Sequence, residues 1–144
     1  MKLKVVLDPG AMMPTRAHSM DAGLDLYSTM DTVLPVQSKE TDGSLCIDTG
    51  VHIEIPEGYV GFLKSKSGLN VKNGIQSEGV IDAGYTGSIM VKLYNHSKIP
   101  VPIKKGQKIS QLVLLPIITP DLEVFDHLED TERGSGGFGS TGKF

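Results

Sequence analysis

Two segments in the first half of the chain place chemically capable side chains between small or apolar residues. In AGLDLYS, at 22–28, strand alternation points Asp25 to the opposite face from its two leucine neighbours. In SKSGLN, at 65–70, Gly68 and small hydroxyl side chains lie beside Lys66, so main-chain N–H groups can approach an anion. The alternatives are an exposed strand acid for the first segment and an ordinary turn leading into a helix cap for the second.

Two later segments combine a polar side chain with an apolar strand. EGVIDAGYTG, at 78–87, puts Asp82 beside apolar residues, and we expect a partly dry pocket suited to general-base catalysis. The alternative is a hairpin in which Asp82 supports an Asx-turn. KKGQKISQLVLL, at 104–115, contains Gln111 as a polar exception, with Lys108 three residues before it. A buried glutamine needs hydrogen-bond partners, which could equally be main-chain groups.

The fifth segment, RGSGGFGSTG at 133–142, sets Arg133, Phe138 and two kinds of hydroxyl side chain among glycines. Glycine loses too much conformational entropy on ordering for such a segment to form a stable helix or a core. A frayed chain end is the simplest interpretation of these residues by themselves, because termini are often poorly ordered.

The overall composition favours one domain and excludes several classes of partner. The 144 residues include 14 basic and 17 acidic side chains, giving a net charge of −3 without a basic stripe for nucleic acid. The longest apolar run, at 112–118, contains Pro116 and is too short to span a bilayer. The N-terminus lacks the pattern of a signal peptide, so we expect a cytoplasmic protein with no membrane or nucleic-acid partner.

Cysteine and histidine usage predicts no metal centre built from these residues. The single cysteine, Cys46, excludes an internal disulfide and a multi-cysteine metal site. Its neighbours alternate in polarity as they would in a strand, so we expect a buried, inert thiol. The four histidines show no metal-ligand spacing.

Short extended segments separated by Gly, Pro, Asn and Asp dominate the chain, which predicts an all-β sandwich or barrel. The predicted strands lie in the segments LKVVLD, LCIDTGVHIEI with a break at Gly50, YVGFLKS, SIMVKLYN, KISQLVLLPI and LEVFDHL. The best candidate for a helical turn is 67–72. No repeat or linker is visible, so we expect one domain with a glycine-rich tail.

Taken in order, the five segments resemble the motifs of the trimeric dUTP pyrophosphatase (dUTPase) family, and the match covers nearly the whole chain. The resemblance implies an all-β distorted jelly roll of the β-clip type, assembled as a homotrimer with active sites at the subunit interfaces. It also implies a division into a β domain at 1–132 and a flexible arm at 133–144 that is swapped into another subunit's site.

The resemblance implies hydrolysis of dUTP to dUMP and pyrophosphate, which keeps uracil out of DNA and supplies dUMP for dTMP synthesis. Asp82 would activate the water that attacks the α-phosphorus, and Tyr85 would exclude a ribose 2′-hydroxyl. The residues expected to contact or surround the uracil are Gln76, Gly79, Val80, Ile81 and Met90.

The same resemblance assigns the triphosphate to Lys66, Ser67 and Gly68, and magnesium to Asp25 and Gln111 acting through water. Arg133 would meet the γ-phosphate and Phe138 would stack on the uracil. The remaining arm residues expected at the phosphates are Gly139, Ser140 and Thr141.

Three positions depart from the family's usual residues. Lys66 and Lys108 stand where arginine is frequent, and Ser65 stands where proline is common; lysine keeps the charge but loses bidentate geometry. The alternatives to a dUTPase are a dCTP deaminase of the same fold and a regulatory nucleotide-binding protein. The deaminase would need a catalytic glutamate and an arginine-serine rich second motif that SKSGLNVKNG does not contain.

Overall fold

The computed structural model describes residues 2–137 and is nearly all-β, which confirms the predicted fold class. The strands are β1 (Val5–Leu7), β2 (Gly23–Tyr27), β3 (Thr32–Leu34), β4 (Ser44–Asp48), β5 (Val51–Ile53), β6 (Tyr59–Ser65), β7 (Ile75–Ile81), β8 (Met90–Asn95), β9 (Val101–Ile103) and β10 (Lys108–Pro116). One helix, α1 (Ser67–Asn73), lies between β6 and β7 in the described chain and confirms the predicted helical turn.

Six strands form the main sheet in the order β2-β10-β6-β7-β8-β4, while β1 pairs with β5 and β3 pairs with β9. All these ladders are antiparallel. The break predicted at Gly50 separates β4 from β5, and its φ of 63° lies in the left-handed region that glycine adopts without strain.

The core is built from aliphatic side chains on the inward-facing positions of the strands, as period-two alternation requires. The largest fully buried side chains are Leu26, Leu34, Ile47, Leu63, Ile75, Ile89, Leu93, Ile103, Ile109 and Leu112. Members of this core come from nine of the ten strands or from segments next to them, so the small sheets are tied to the large one.

Two expectations from the sequence are wrong. The segment LEVFDHL forms no strand, because the described residues provide no neighbouring strand to pair with it, and its apolar side chains are exposed. Cys46 is exposed, because β4 turns Ile47 into the core and Cys46 to the outer face. The alternation predicted for β4 is correct, but Cys46 was assigned to the buried face and lies on the exposed one.

Within the described residues, no helix is long and apolar enough to cross a membrane.

Candidate active site

A buried carboxylate, that of Asp25, is paired with two lysine side chains. Asp25 lies in β2 and is 4% exposed. Its Oδ1 accepts a hydrogen bond from Nζ of Lys66, the N-cap residue of α1. Its Oδ2 lies 2.7 Å from Nζ of Lys108 at the start of β10. The alternative interpretation of Asp25 as an exposed strand acid is therefore wrong. We call Asp25, Lys66 and Lys108 the lysine–aspartate cluster.

The lysine–aspartate cluster carries a net positive formal charge. Burial raises the pKa of Asp25, but hydrogen bonds and charges from Lys108 and Lys66 outweigh it and hold this pKa below its ordinary value. The bond to Asp25 raises the pKa of Lys108 in turn. Two ammonium groups against one carboxylate leave one positive charge to attract an anion.

Gln111 lies directly beside Asp25, because the two residues are register partners on β10 and β2. Its Nε2 donates to the Ser65 carbonyl at 3.0 Å, so its partner is a main-chain group. Gly23 makes room for it, because a Cβ at Gly23 would collide with Oε1 of Gln111 and lie 2.9 Å from its Cβ.

The first turn of α1 presents open main chain next to the cluster. Ser67 and Gly68 are exposed, and the Lys66 side chain makes no capping bond to the helix. A Cβ at Gly68 would meet no atom within 4 Å, and φ of this glycine is not positive. Neither packing nor backbone strain therefore requires glycine here, whereas close approach of a ligand to the main chain would.

The hairpin of β7 and β8 opens towards its loop, forming a fork. The two strands pair with each other only at Ile75–Ser77. Beyond that point β7 pairs with β6 at 78–81, and β8 keeps only its pairing with β4 on its other edge. The main-chain edge of 79–81 that faces away from β6 therefore has no strand partner in the described part of the chain. Met90 begins β8 across the fork and is 44% exposed, and Val80 is 58% exposed.

Asp82 stands at the open end of this fork, at the first position of a β-turn. Its main-chain carbonyl accepts from the Tyr85 N–H at 3.2 Å, and Gly84 has φ of 86°, the pattern of a type II turn. The turn is closed by main chain rather than by an Asx-turn of the Asp82 carboxyl. Asp82 is exposed, so residues 2–137 of one chain do not form the partly dry pocket expected around its carboxyl.

Tyr85 is held against the second half of the same loop. Its hydroxyl donates to the Ser88 carbonyl at 2.9 Å. A Cβ at Gly87 would collide with the Tyr85 hydroxyl and approach ring atom Cε2 to 3.0 Å, so glycine is needed for the ring to lie there. The ring is still 43% exposed and can contact a ligand.

The single chain does not bring its two groups of predicted site residues together. Ile81, just before Asp82, is paired with Gly61 near the start of β6, whereas Lys66 follows the end of that strand. Five residues of extended chain span about 16 Å. The fork and the lysine–aspartate cluster therefore lie at opposite ends of β6.

Three further predicted groups lie apart from the fork. Gln76 is five residues before Ile81 in β7, and its Oε1 lies 3.0 Å from Nε2 of His96. Arg133 is exposed and its Nε donates to the Gly136 carbonyl, in a stretch after β10 without strands. The predicted residues Phe138, Gly139, Ser140 and Thr141 lie outside the described residues.

Sequence reasoning missed three residues that shape the site. Lys108 was noted by its spacing from Gln111 and as a replacement for arginine, but its ion pair with Asp25 was not predicted. The roles of Gly23 and Gly87 were not predicted, yet each leaves space for a site side chain. The position of Gly23 two residues before Asp25 is a signal that could have found it, because i and i+2 share a strand face in β2. Gly87 lies in a loop and has no such signal.

No group of three or more His, Cys, Asp or Glu side chains in residues 2–137 could hold a metal ion by direct ligation. The donors at the cluster are one carboxylate, already paired with two lysines, and one amide. These residues fit contact with the water shell of a cation that arrives with an anionic ligand. They do not fit direct capture of a bare cation, which the net positive charge would repel.

Comparison with known proteins gives a consistent result across nearly the whole chain. Residues 10–142 match the family described as dUTPase. The deoxyuridine 5'-triphosphate nucleotidohydrolase of Gloeothece citriformis (strain PCC 7424) is 42% identical over 146 aligned positions, covering 99% of this chain and 97% of the relative.

Solved structures of phage proteins agree in fold. The Staphylococcus bacteriophage 80alpha dUTPase with dUpNHpp superposes with a TM-score of 0.86 at 35% identity, covering 99% of both chains. A variant dUTPase from phage phi11 of S. aureus, whose structure shows coordination of a structural Mg(II) ion, gives a TM-score of 0.80 at 32% identity over 90% of this chain and 100% of that chain. The predicted jelly-roll fold is thereby confirmed.

Proposed function

The chain belongs to the dUTPase family, and we propose that it hydrolyses dUTP to dUMP and pyrophosphate at a site that combines the fork with a lysine–aspartate cluster. The family resemblance inferred from the five segments is confirmed, and the deaminase alternative is not favoured. The observation that carries the proposal is the fork itself, with the exposed Asp82 carboxylate at its open end.

The fork suits a flat base that must be recognised by its edge. The unpaired main-chain edge of 79–81 can hydrogen-bond uracil as a strand edge binds another strand. Glycine suits position 79, because a Cβ there would lie 2.9 Å from Cδ1 of its partner Leu63 on β6. The exposed side chains of Val80 and Met90 supply apolar contact, whereas Ile81 is buried in the core and offers only its main chain. The space between the two limbs excludes the methyl group of thymine.

Asp82 acts as the general base. It removes a proton from water while the water oxygen attacks the α-phosphorus, and the bond to the bridging oxygen of the β-phosphate breaks. Pyrophosphate leaves and dUMP remains. The exposed carboxyl fits this role, because it accepts no turn-closing hydrogen bond. The ring of Tyr85, fixed by its bond to Ser88, packs against the deoxyribose and leaves no room for a 2′-hydroxyl.

The triphosphate lies against the lysine–aspartate cluster and the first turn of α1. Lys66 and Lys108 supply positive charge, and the exposed N–H groups of Ser67 and Gly68 donate to phosphate oxygens. Magnesium bound to the triphosphate neutralises charge on the phosphate oxygens when present. Asp25 and Gln111, adjacent on β2 and β10, would accept hydrogen bonds from its water shell through their carboxylate and amide oxygens, because Nε2 of Gln111 already donates to Ser65.

A complete site requires more than one copy of the chain. Because the fork and the cluster lie at opposite ends of β6, a nucleotide that contacts both cannot do so within one subunit. A homotrimer with cyclic symmetry brings the fork of one subunit to the cluster of its neighbour, three times over. The dry surroundings that Asp82 lacks in the single chain would then come from the neighbouring subunit.

The segment 133–144 completes the site as an arm of the same domain. Arg133, whose guanidinium is exposed, binds the γ-phosphate by charge-assisted hydrogen bonds. Phe138 stacks on the uracil, and Gly139, Ser140 and Thr141 contact the phosphates. The exposed apolar residues between β10 and Arg133, among them Leu122 and Phe125, fit a path over a neighbouring subunit.

Pyrophosphate release from dUTP, compared with dCTP, dTTP and UTP, tests this function. We expect turnover of dUTP alone and no ammonia from dCTP. Asp82→Asn should keep the fold and nucleotide binding and lose turnover by about 10²–10⁴-fold, the usual contribution of general-base catalysis. Release of ammonia from dCTP, or near-normal activity of Asp82→Asn, would contradict the proposal.

A further inference from the structure

The imidazole of His52 connects the N-terminal turn to the loop that carries Asp82 and Tyr85. Its Nδ1 lies 2.8 Å from the Thr86 carbonyl oxygen, and its Nε2 lies 3.1 Å from Oδ2 of Asp8. Asp8 is itself fixed, because its N–H donates to the Gly50 carbonyl at 2.8 Å. We call this connection the His52 bridge.

The two partners of the ring determine its charge. A main-chain carbonyl and a carboxylate can only accept hydrogen bonds, so both ring nitrogens must donate. The ring that makes both bonds is therefore an imidazolium ion. Consistently, the bonds to the Thr86 carbonyl and then to Asp8 raise the pKa of His52 above its ordinary value.

The neighbouring contacts hold the same side of the loop. Asp48 accepts from the Ser88 hydroxyl, and Thr49 donates its hydroxyl to the Ile89 carbonyl at 2.7 Å. The Ile89 N–H donates to the Val51 carbonyl at 2.8 Å. The turn between β4 and β5 thus holds 88–89 by hydrogen bonds. The His52 bridge adds a hydrogen bond to Thr86, the residue after Tyr85.

We propose that His52 is a positioning residue for the dUTPase reaction, holding the loop so that Asp82 and Tyr85 meet the nucleotide in the productive geometry. The inference rests on the proposed function of Asp82 and Tyr85. It goes beyond that function because His52 is part of neither the proposed uracil site nor the proposed phosphate site. His52 acts through the main chain of Thr86.

Other charged groups around His52 support the same state. Asp8 and Asp48 are both negative and favour the imidazolium. Lys4 and Glu54, which flank β1 and β5, are paired with each other at 2.9 Å. Because the pKa of His52 is raised, the bridge is complete at low pH and one of its bonds is lost as pH rises through that pKa.

Substitution by the two amide side chains separates the two halves of the bridge. The amide nitrogen of Asn is as many bonds from Cα as Nδ1, so His52→Asn can still donate to Thr86. The amide nitrogen of Gln corresponds to Nε2, so His52→Gln keeps only the contact with Asp8. His52→Ala removes both, and Glu54→Ala is the matched control, because it breaks a surface pair beside the same strand.

The first measurement is hydrogen–deuterium exchange of the peptide covering 82–89, which requires no catalysis. We expect exchange about 3- to 10-fold faster in His52→Ala and His52→Gln, the effect of losing one partly exposed hydrogen bond. His52→Asn and Glu54→Ala should exchange like the wild type. The second measurement is the preference for dUTP over UTP, given by the ratio of kcat/KM, which should fall by a similar factor in the same two variants.

Two outcomes overturn the inference. If His52→Gln retains slow exchange and full preference while His52→Asn loses them, the contact with Asp8 rather than with Thr86 matters. If all four variants behave like the wild type, His52 positions nothing. Failure of the proposed function is distinguishable, because a wild-type protein inactive on dUTP would refute that function while the exchange measurement still decides the role of the His52 bridge.

Discussion

Asp25 and Lys108 form an ion pair between two neighbouring strands, with Nζ 2.7 Å from Oδ2 and the carboxylate almost fully buried. The second oxygen of Asp25 is occupied by Lys66, so one buried carboxylate joins β2, β10 and the start of α1. The same three side chains are paired with each other in the free protein. Their formal charges sum to one positive charge, which can attract a triphosphate.

Replacing Asp25 with asparagine should lower the free energy of unfolding at neutral pH by about 1–3 kcal/mol, the contribution of hydrogen bonds to a charged group. We expect the lower end of this range, because Lys108 is partly exposed and solvent screens its charge. Thermal melts of the two proteins check this.

The stability difference between wild type and Asp25→Asn should depend on pH with a definite sign. The pKa of Asp25 is lowered in the folded protein, so its contribution is complete above the unfolded pKa of about 4 and disappears as pH falls through the folded value. The two melting curves should therefore converge in acid. A constant difference from neutral to strongly acidic pH would contradict the ion-pair explanation.

Gly68→Ala should separate stability from activity. The added methyl group meets no atom within 4 Å, and alanine is the better helix former by up to about 1 kcal/mol, so the melting temperature should hold or rise. KM for dUTP should rise, because the methyl group lies where a phosphate approaches the main chain. Val71→Ala, on an exposed position of the same helix, is the control and should leave KM unchanged. Unchanged KM in Gly68→Ala would remove the first turn of α1 from the site.

Gly87→Ala should weaken sugar discrimination. Alanine is allowed by the backbone, because φ of Gly87 is not positive, but its Cβ would collide with the Tyr85 hydroxyl and displace the ring. We expect UTP turnover to rise relative to dUTP, measured by the ratio of kcat/KM. Tyr85→Phe, which keeps the ring and loses the bond to Ser88, should have a smaller effect in the same direction. If Gly87→Ala rejects UTP as strongly as the wild type, the ring does not exclude the 2′-hydroxyl.

Local sequence patterns predicted the helical turn and most of the longer strands, because alternation and punctuation by glycine are local properties. The three-residue strands β3 and β9 lie in none of the predicted segments. At Asp82 the sequence suggested an Asx-turn as the alternative, whereas the turn at 82–85 is closed by main chain and has Gly84 at positive φ. Segment LEVFDHL was wrong because alternation alone does not supply a partner strand.

The site was predictable only as a set of residues. The resemblance assigned Asp25 and Gln111 to one task, and the register of β2 and β10 places them side by side. That register joins residues far apart in sequence, so the pairing of Lys108 with Asp25 had no local signal. The fork opens because β7 pairs with β6 while β8 pairs with β4, and these pairings are a property of the whole sheet.

Deleting 133–144 should abolish turnover without destabilising the fold. The described residues after β10, up to residue 137, contribute no strand to the sheets, and Arg133 is exposed, so the melting temperature should change little. Turnover should collapse, because the γ-phosphate loses its arginine and the uracil loses its stacking ring. Phe138→Ala alone should weaken nucleotide affinity by about 1–3 kcal/mol, the usual worth of an aromatic–base stack. Arg133→Ala should weaken binding of a non-hydrolysable dUTP analogue more than binding of dUMP, which lacks the γ-phosphate, as calorimetry can measure. A truncated protein with full activity would show that the tail is only a chain end.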